Sequence, residues 1–510
     1  MNANDRGEAS RPRVAPLDME AEEFRRLGHR LVDRIAEFLA DLPARPVAPG
    51  ESPDVVRAAL GNHGLPDHGS PADQVLDEAV RLLFDHSTFN GHPRFAAYVS
   101  SSPAPIGALG DLLAAAVNPN VGGWGIAPIA TEIEAQTVRW IAEFLGYPTS
   151  CGGLLVSGGT MANFVGLLAA RRAKADWDVR ATGMTGNPGG PLRAYGSVES
   201  HTWLQKAADL FGLGTDAIRW IPTDGDLRMD VGALAEAVEA DAAAGATPFL
   251  VVGTAGTVST GAVDPLPAIA AFCRAHGLWF HVDGAYGGFA AALPDASADL
   301  RGLREADSVA IDPHKWLYAP LEAGCVLVRD PGYLLATFSH HPSYYHFDTG
   351  SEAGTNYYEL GPQNSRGFRA LKVWLGLRQA GREGCLAMLA DDIAVARVLH
   401  RLVAADPRFE ARTQALSITT FRYVPPDLAP GDPDTEAYLN WLNAEVLSRV
   451  QLGGEAYLSN AVVGGAFLLR ACVVNFRTTE DDMAAVPDIV ARIGAEVDAA
   501  IRPPELRRAG

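Results

Sequence analysis

The chain has 510 residues, of which 48% are hydrophobic and 20% charged, a composition that is typical of globular proteins and excludes a largely disordered or fibrous chain. Its formal net charge of −19 repels phosphate backbones and anionic lipid headgroups, so we expect neither nucleic acid nor a membrane as a partner. The length fits about three domains or one large multilayer enzyme.

Cysteine usage and the N-terminal sequence both favour a cytoplasmic location. The five cysteines are scattered, and none forms a CxxC pair that would suggest a disulfide framework or a zinc knuckle. The first residues, MNANDRGEASRPRVAPLDMEAEE, contain no apolar core of a secretory signal, and no apolar stretch is long enough to span a bilayer. We therefore expect a reducing, cytoplasmic compartment.

The N-terminal region is predicted to be helical but to lack a core of its own. Residues 1–17 are typical of a disordered lead, and apolar residues then recur at helical spacing from Asp18 to Leu42, with Asp18 placed to cap the helix. The segment 43–70 is rich in proline and glycine and predicts a turn-rich connection, which is followed by a second helix over 71–84. We expect this region to be an arm that packs on another surface.

From about residue 105 the chain alternates helical stretches with short apolar runs. Helices are predicted over 128–145, 160–174 and 265–276, and strands over 152–157, 192–197, 248–254, 278–283, 308–312 and 324–329. This alternation predicts an α/β domain with a largely parallel sheet that is covered by helices on both faces. In its best-defined unit, Asp264 caps a helix with Pro265 at the first position, and Gly277 ends that helix before the strand LWFHVD.

The C-terminal part of the chain has longer helices and fewer strands, which predicts a smaller α+β domain. Helices are expected over 372–405, 434–450 and 481–502, and strands around 415–423 and 465–476. The most apolar tract, Asn460 to Phe476, contains Arg470 and two glycines, so it indicates a buried strand or strand pair rather than a membrane span.

Lysine is used at only four positions, and we expect only Lys315 to have an apolar setting. Lys174 and Lys206 occur in polar helix surfaces, whereas Lys315 stands in IDPHKWLYAP, beside Trp316 and Tyr318. Burial lowers the pKa of an amine, which a Schiff-base lysine requires and an arginine cannot provide. The competing interpretation is a lysine whose stem covers apolar surface while its amine stays in water.

Asp283 ends the strand LWFHVD, just before the small-residue turn GAYGG. The carboxyl ends of parallel strands form the edge at which α/β sheets bind ligands, although an aspartate in such a place can also be a helix cap. The stretch between Asp283 and Lys315 leaves room for a crossover and another strand, so both side chains can reach one crevice. An aspartate on a pyridinium nitrogen and a Schiff-base lysine are the usual protein contribution to pyridoxal phosphate (PLP) chemistry.

Two further candidates follow short strands. The run LLVSGGTMANF puts Gly158, Gly159 and Thr160 at a strand-to-helix junction, where free backbone amides and the helix dipole suit a phosphate, unless the run is a simple tight turn. His201, in YGSVESHTW, has a flat ring that could stack on a cofactor ring or be structural. The chain has neither GxxxxGK[ST] nor GxGxxG, which weighs against an NTPase or a dinucleotide enzyme.

Together these residues resemble the group II PLP-dependent amino acid decarboxylases, the family of the aromatic-L-amino-acid, histidine and glutamate decarboxylases. The most specific match is HVDGAY followed by DPHKW, and the likeness extends from EFRRLGHRLVDRIAEFL to LRACVVNFRTTE. It implies an α/β protein of the PLP-dependent transferase fold type I, which is aspartate-aminotransferase-like. It also implies a homodimer, with an N-terminal arm (1–104) on the partner, a large PLP-binding domain (105–371) and a small C-terminal domain (372–510).

The resemblance also assigns roles to single residues. Lys315 would form the Schiff base with PLP, Asp283 would hold the pyridine nitrogen protonated, and His201 would stack on the ring. Tyr344, in SHHPSYYHFDTGSEAG, matches the loop tyrosine that returns a proton after CO₂ leaves, and its neighbour Tyr345 is the alternative for that role. Further cofactor contacts are expected at Gly159, Thr160, Thr257, Ala285, Asp312 and His314, and substrate contacts at Tyr98, Ser101, His201 and Ser365.

Several positions depart from the family pattern. Val258 stands where the aromatic-acid enzymes often have a threonine that contacts the cofactor, which leaves Thr257 as the nearest hydroxyl. Asp312 stands where several relatives have asparagine, and this carboxylate needs a hydrogen-bond donor or a proton to offset its charge. The substrate-facing stretch has smaller residues than is common, at Val99, Ser100 and Gly122.

The sequence thus predicts PLP-dependent decarboxylation of an L-amino acid to its amine and CO₂. The resemblance favours an aromatic substrate, and the smaller pocket residues leave an aliphatic or sulfur-containing amino acid as the alternative. Aldehyde-forming oxidative deamination is a third possibility, although the tyrosine at position 344 favours decarboxylation.

Two other classes of protein fit the sequence less well. A metal-binding protein could use His340, His341 and His346, but adjacent histidines rarely share one metal ion and no carboxylate pair accompanies them, so no metal is expected. A PLP-free binding module would be expected to have lost Lys315, Asp283 or Tyr344. The chain retains these residues.

Overall fold

The computed structural model describes residues 14–340 and 354–506. These residues divide into two compact units. Residues 14–45 and 51–87 form the first unit, and residues 46–50 with the rest of the described chain form the second.

Helices dominate the described part of the first unit. Their bounds are α1 (Ala21–Asp41), α2 (Pro53–Leu60) and α3 (Ala72–His86). Phe38 of α1 stacks on Phe84 of α3, with ring centroids 4.3 Å apart, so the two predicted helices pack on each other.

Two details of the first unit differ from the predictions. The prediction that Asp18 caps the first helix is wrong. Helix α1 begins later, at Ala21, and the Asp18 carboxylate accepts a hydrogen bond from the adjacent Met19 amide. The segment predicted as a turn-rich connection contains α2. Its helix is started by the Ser52 hydroxyl, which accepts a hydrogen bond from the Val55 amide, and by Pro53 at the first helical position.

The second unit contains a large sheet, for which the described chain supplies seven strands: β1 (Gly152–Val156), β2 (Leu192–Ser197), β3 (Ile218–Ile221), β4 (Thr247–Thr254), β5 (Trp279–Asp283), β6 (Ser308–Ile311) and β7 (Gly324–Val328). Their order across the sheet is β1-β7-β6-β5-β4-β2-β3. Neighbours are parallel except where β7 pairs with β1 and with β6. The predicted, largely parallel sheet is confirmed, whereas the short strand β3 was missed.

Helices cover both faces of the large sheet. The helices of this part of the chain are α4 (Pro105–Val117), α5 (Pro128–Leu145), α6 (Gly159–Lys174), α7 (Val179–Thr182), α8 (Trp203–Leu210), α9 (Val231–Ala243), α10 (Leu266–His276), α11 (Ala298–Arg301), α12 (Pro313–Trp316) and α13 (Gly332–Phe338). Phe280 and Val282 of β5 join an apolar core with α5, α9 and α10, whereas Trp279 joins another with α6, α8 and α13. Because both faces are buried, the strands read as continuous apolar runs in the sequence.

The start of the helix that follows Asp264 differs from the prediction. Helix α10 begins at Leu266, and Gly277 ends it in the left-handed conformation with a φ of 68°, as expected. Asp264 does not cap this helix. Its buried carboxylate instead accepts hydrogen bonds from the amides of Met229 (2.7 Å) and Thr254 (2.8 Å), and burial raises its pKa to about 6. The carboxylate thus ties the end of β4 to the chain that enters α9.

A small antiparallel sheet follows, to which the described residues contribute β8 (Phe409–Ala415), β9 (Ile418–Tyr423), β10 (Ser459–Val463) and β11 (Ala466–Cys472), in the order β10-β11-β9-β8. The helices of this part are α14 (Ala370–Ala405), α15 (Pro433–Gly453) and α16 (Glu480–Ile501). Helix α14 is interrupted at Gly381, whose φ of 66° a residue with a side chain rarely adopts. The predicted α+β character is therefore confirmed.

The apolar tract from Asn460 to Phe476 forms most of β10 and all of β11, which confirms the predicted strand pair. Among the described residues, we find no helix that is both long enough and apolar enough to cross a bilayer.

A buried ion pair joins three separate parts of the second unit. The Arg366 guanidinium donates to Glu134 of α5, with one N–O distance of 3.1 Å, and to the Leu155 carbonyl of β1 at 2.6 Å. Glu134 also accepts a hydrogen bond from the Leu155 amide at 2.9 Å. Both charged side chains are buried, and the Tyr357 ring lies 4.7 Å from the guanidinium carbon. Because these charges are paired and bonded within the fold, each depends on the other to remain buried.

We expect Arg366→Met to lower the free energy of unfolding by about 3–5 kcal/mol, because it leaves the Glu134 carboxylate buried without its partner. Urea denaturation followed by circular dichroism would measure the change. The matched control is Arg449→Met, which breaks an exposed pair with Glu445 and should change stability by less than about 1 kcal/mol. Equal effects of the two variants would contradict a stabilising role of the buried pair.

Candidate active site

A cavity of about 420 Å³ lies at the carboxyl edge of the large sheet. Thr254 and Asp283, the last residues of β4 and β5, line it together with Asp312, which directly follows β6. Gly158 and Gly159, which connect β1 to α6, form another part of its wall. Parallel strands bring their carboxyl ends to one edge, so residues that are distant in sequence meet here.

Asp283 is held in place by two hydrogen bonds. Its Oδ2 accepts from the Trp203 indole at 2.8 Å, and its Oδ1 accepts from the Ala285 amide at 3.1 Å. The side chain is buried and lines the cavity, and no helix begins directly after it. The structure therefore favours a carboxylate aimed at a ligand over a helix cap.

Lys315 lies on the single-turn helix α12 and lines the same cavity. Its Nζ is 3.0 Å from Oδ2 of Asp312, which is itself buried. Among the described residues, the other carboxylate oxygen of Asp312, Oδ1, has no hydrogen-bond partner. The amine thus supplies the offsetting donor that the sequence required for Asp312, and one buried oxygen remains available to a ligand.

The expectation that Lys315 alone has a setting that excludes water is wrong. Lys372 of α14 is 6% exposed against 21% for Lys315. Its Nζ pairs with the Asp111 carboxylate at 3.1 Å, and it does not line the cavity. The sequence missed this because a tertiary contact between α14 and α4, rather than the neighbours in the chain, buries Lys372.

The junction before α6 has no room for a side chain. A Cβ placed on Gly159 would lie 2.7 Å from Asp312 Oδ2 and 2.9 Å from the Ala285 Cβ, so only glycine fits. Gly158 has a φ of 150°, which also favours glycine. The first amides of α6 lack partners within the helix, and Thr160, on the same turn, also lines the cavity. The junction therefore has the space that a phosphate cradle requires, and binding of a phosphate there stays a prediction.

The two histidines of the cavity have lowered pKa values. Loss of hydration lowers the pKa of His201, although Asp283 opposes this effect, and its Nδ1 accepts a hydrogen bond from the Trp203 amide at 3.2 Å. Burial likewise lowers the pKa of His314, whose Nδ1 lies 2.8 Å from the Ala323 carbonyl. Both rings are therefore disposed to be neutral at physiological pH.

Thr257 does not line the cavity. Its hydroxyl lies 3.0 Å from that of Thr260 and accepts a hydrogen bond from the Ala262 amide at 3.1 Å, so it stabilises its own turn. Thr254, which the sequence analysis did not single out, lines the cavity instead, and its buried Oγ1 lacks a hydrogen-bond partner within the described chain. Val258, at the position of the family's threonine, is also on the cavity wall.

The expected substrate residues other than His201 do not line the cavity. Tyr98 and Ser365 are exposed. Ser101 donates from its hydroxyl to the His314 carbonyl at 2.6 Å, so it supports the turn that carries Lys315. Val99 is the residue of this stretch that reaches the cavity.

Three of the sequence predictions concern residues that the structure does not describe. Tyr344, Tyr345 and two of the three loop histidines lie outside the described ranges. Within those ranges, no cluster of metal-ligating side chains occurs.

Some residues of the site carry no signal that could have identified them in the sequence. Trp203 is the clearest, because its indole reaches Asp283 across a long stretch of sequence. Leu321 and Glu322, also on the cavity wall, lie in a loop whose course local patterns do not predict.

The chain is similar to known proteins over most of its length. The family profile described as "Pyridoxal-dependent decarboxylase conserved domain" matches residues 53–424. The chain is 34% identical over 483 residues to the aromatic-L-amino-acid decarboxylase of Bacillus atrophaeus, a match that covers 94% of this chain and 97% of that protein. It is 30% identical over 473 residues to the phenylacetaldehyde synthase of a Rosa hybrid cultivar, covering 91% of this chain and 92% of that one.

A solved structure extends the likeness to the fold. Oryza sativa TDC, crystallised with PLP and tryptamine, is 31% identical and has a TM-score of 0.87, with 95% of this chain and 99% of that chain covered. This likeness confirms the expected fold type I. Because the family profile spans most of the sequence and the relatives align over nearly all of it, the chain belongs to the pyridoxal-dependent decarboxylase family.

Proposed function

We propose that the chain uses PLP to remove the α-carboxylate of an aromatic L-amino acid, and that it releases the amine and CO₂. The observation that carries this proposal is the convergence of Lys315, Asp283 and His201 on one cavity at the carboxyl edge of the large sheet. The names of the relatives favour an aromatic substrate and a decarboxylation. Two relatives are named phenylacetaldehyde synthases, so oxidative deamination remains the alternative reaction.

The cavity has the features that PLP needs. Gly159 leaves space that a Cβ would fill, and the first turn of α6 offers amides to a phosphate. Asp283 is fixed by two donors, in a position to pair with the ring nitrogen. Two buried oxygens, Thr254 Oγ1 and Asp312 Oδ1, lack partners in the part of the chain that is described, so a ligand can supply them.

When bound, PLP supplies a conjugated, electron-withdrawing ring that stabilises the charge left on Cα as CO₂ departs. Lys315 would hold the cofactor through its amine, and Asp312, whose Oδ2 lies 3.0 Å from Nζ, would accept a hydrogen bond from it. Asp283 would keep a proton on the ring nitrogen, because its carboxylate is buried and oriented. The neutral, flat ring of His201 would lie against the cofactor, and the Tyr344 hydroxyl would return a proton to Cα.

We also infer that two copies of the chain form a homodimer, with residues 1–104 as an arm on the partner. The apolar side chains of one face of α4, at Leu109, Leu112, Leu113 and Val117, are more than half exposed. A second copy would remove this surface from water.

Free cysteines support a reducing, cytoplasmic compartment, since the cysteines of the chain are unpaired.

Release of CO₂ from each of the twenty L-amino acids is the direct test of the reaction and substrate class. We expect tryptophan, tyrosine or phenylalanine to react fastest, with one molecule of amine formed per CO₂. Preference for an aliphatic or sulfur-containing amino acid would fit the small side chains of Val99 and Val258 on the cavity wall and would overturn the aromatic assignment. Absence of CO₂ release from every amino acid would contradict the proposed reaction.

We expect Asp283→Asn to retain PLP but to lower kcat on the order of 100-fold, because a neutral amide no longer stabilises the charge on the ring nitrogen. Steady-state kinetics and the absorbance of the bound cofactor would separate the two effects. Asp241→Asn is a matched control, since Asp241 is equally buried, at 7% exposure, and pairs with Arg219 away from the cavity. Equal losses of kcat in the two variants would show that Asp283 is only structural.

We expect Tyr344→Phe to release CO₂ while shifting the product from amine toward aldehyde, with uptake of O₂. Without the phenol, the carbon that has lost CO₂ is protonated slowly and has time to react with oxygen. Product analysis with an oxygen electrode measures both changes. Clean amine formation at an unchanged rate would reject the role of Tyr344, and the same measurement on Tyr345→Phe would then test its neighbour.

A further inference from the structure

The residues that follow Lys315 are anchored to a single carboxylate on another helix. The Trp316 indole and the Tyr318 hydroxyl both donate to Oδ2 of Asp392, each at 2.8 Å. Asp392 lies on α14, in the part of the chain that packs with the small sheet. One oxygen atom thus holds two side chains of the turn that presents Lys315.

Asp392 and its two donors are buried, and the remaining hydrogen bond of Asp392 also joins it to a residue outside the large sheet. Trp316, Tyr318 and Asp392 are all less than 5% exposed. Oδ1 of Asp392 accepts a longer hydrogen bond, 3.3 Å, from the Asn475 amide. The Asn475 side chain in turn donates to the His92 carbonyl at 2.9 Å. Hydrogen bonds therefore connect the turn that carries Lys315, through Asp392, to Asn475 and His92.

The backbone at this turn needs such a support. Tyr318 has a φ of 53°, a left-handed conformation that residues with side chains rarely adopt. Its carbonyl accepts a hydrogen bond from Ala104, and its amide donates to the Lys315 carbonyl at 3.2 Å. A conformation of this kind persists only where its surroundings hold it. Loss of the Tyr318 hydroxyl bond would therefore loosen the residue that bonds to the backbone of Lys315.

Packing connects the same turn to the cavity wall. The Trp316 ring stacks on the Tyr286 ring, with centroids 5.0 Å apart, and Tyr286 lines the cavity. The Tyr286 hydroxyl lies 2.8 Å from that of Ser417, beside β9. A displacement of Trp316 would thus shift both Lys315, its neighbour in the chain, and Tyr286 on the cavity wall.

A carboxylate at this position is costly to bury, and the donors of the lysine turn account for its presence. Burial raises the pKa of Asp392 to about 7, which reflects the cost of keeping this group away from water with neutral donors. An apolar side chain of similar volume would avoid that cost but would leave the Trp316 indole and the Tyr318 hydroxyl buried without this acceptor. The carboxylate is the group that can bind two donors of the lysine turn at one point.

We propose that Asp392 is a positioning residue, which fixes the direction in which Lys315 presents its amine to the cavity. This inference rests on the proposed function, in which that amine binds PLP. It concerns orientation rather than chemistry, because Asp392 lies outside the cavity.

Four variants test the proposal. Asp392→Leu removes the acceptor, Asp392→Asn retains an acceptor oxygen, and Tyr318→Phe removes one donor. The matched control is Tyr195→Phe, which deletes an equally buried tyrosine hydroxyl that donates to Asp241 at 2.9 Å, remote from Lys315. The readouts are the Kd of PLP for the apoprotein, the pH midpoint of the visible absorbance of the PLP-loaded protein, kcat and KM, and the Tm of the apoprotein.

We expect Tyr318→Phe and Asp392→Leu to raise the Kd of PLP by about tenfold or more, because a loosened turn no longer holds the Lys315 amine in the binding orientation. Both should shift the pH midpoint of the visible band and lower kcat more than they change KM. Asp392→Asn should be clearly less impaired than Asp392→Leu in these readouts, because its amide oxygen can still accept from Trp316 and Tyr318, although its NH2 group cannot accept from the Asn475 amide. Tyr195→Phe should lower Tm by an amount similar to Tyr318→Phe while leaving the Kd and the pH midpoint unchanged.

The proposal is overturned if Tyr318→Phe matches Tyr195→Phe in every readout, since the hydrogen bond would then serve stability alone. It is also overturned if Asp392→Asn is as impaired as Asp392→Leu, because the retained acceptor should preserve the anchor. Failure of the proposed function would be distinguished in the wild type, which would then bind no PLP or release no CO₂.

Discussion

The ion pair between Lys315 Nζ and Asp312 Oδ2, 3.0 Å apart, is the interaction around which the cavity is arranged. A buried carboxylate is costly unless it is paired, and here the amine that neutralises Asp312 is the one that we propose to bind PLP. Oδ2 of Asp312 also restricts position 159 to glycine, because a side chain on Gly159 would collide with this oxygen. The lysine, the carboxylate and the glycine therefore constrain one another, although they come from three different parts of the chain.

The large sheet makes this arrangement possible, and the rest of the second unit supports it. Parallel strands deliver Asp283 and Asp312 to one edge, while Trp203 orients Asp283 from the start of α8. The turn of Lys315 is held from two other sides, by the Ser101 hydroxyl and by Asp392 of α14. Side chains that touch no ligand thus fix the positions of those that do, which is the usual requirement of a preorganised site.

Much of this could be predicted from the sequence because the relevant signals are local. Strands that are buried on both faces give continuous apolar runs, and glycines mark the junctions at which they end, so Asp283 and Gly159 were found at the edge of the sheet. Lys315 was singled out by its apolar neighbours in IDPHKWLYAP, and Asp312 by the resemblance that the motif DPHKW carries. The roles of these residues remain predictions, as does that of Tyr344.

What the sequence missed depends on tertiary contacts. Burial of Lys372 comes from its pairing with Asp111 on another helix, and Asp264 bonds the amides of Met229 and Thr254 instead of capping α10. Both side chains are satisfied by distant partners that local patterns do not reveal. The short strand β3 and the proline-initiated helix α2 were missed for a different reason, since each carries too few residues for a clear period.

The central claim is that Lys315, and not the more deeply buried Lys372, binds PLP. Borohydride reduction of the PLP-loaded protein makes that linkage permanent, and proteolysis with mass spectrometry then locates the modified lysine. We expect the cofactor's mass on the peptide that contains Lys315 and on no other lysine. A modification at Lys372, or reduction without any modified lysine, would contradict the claim.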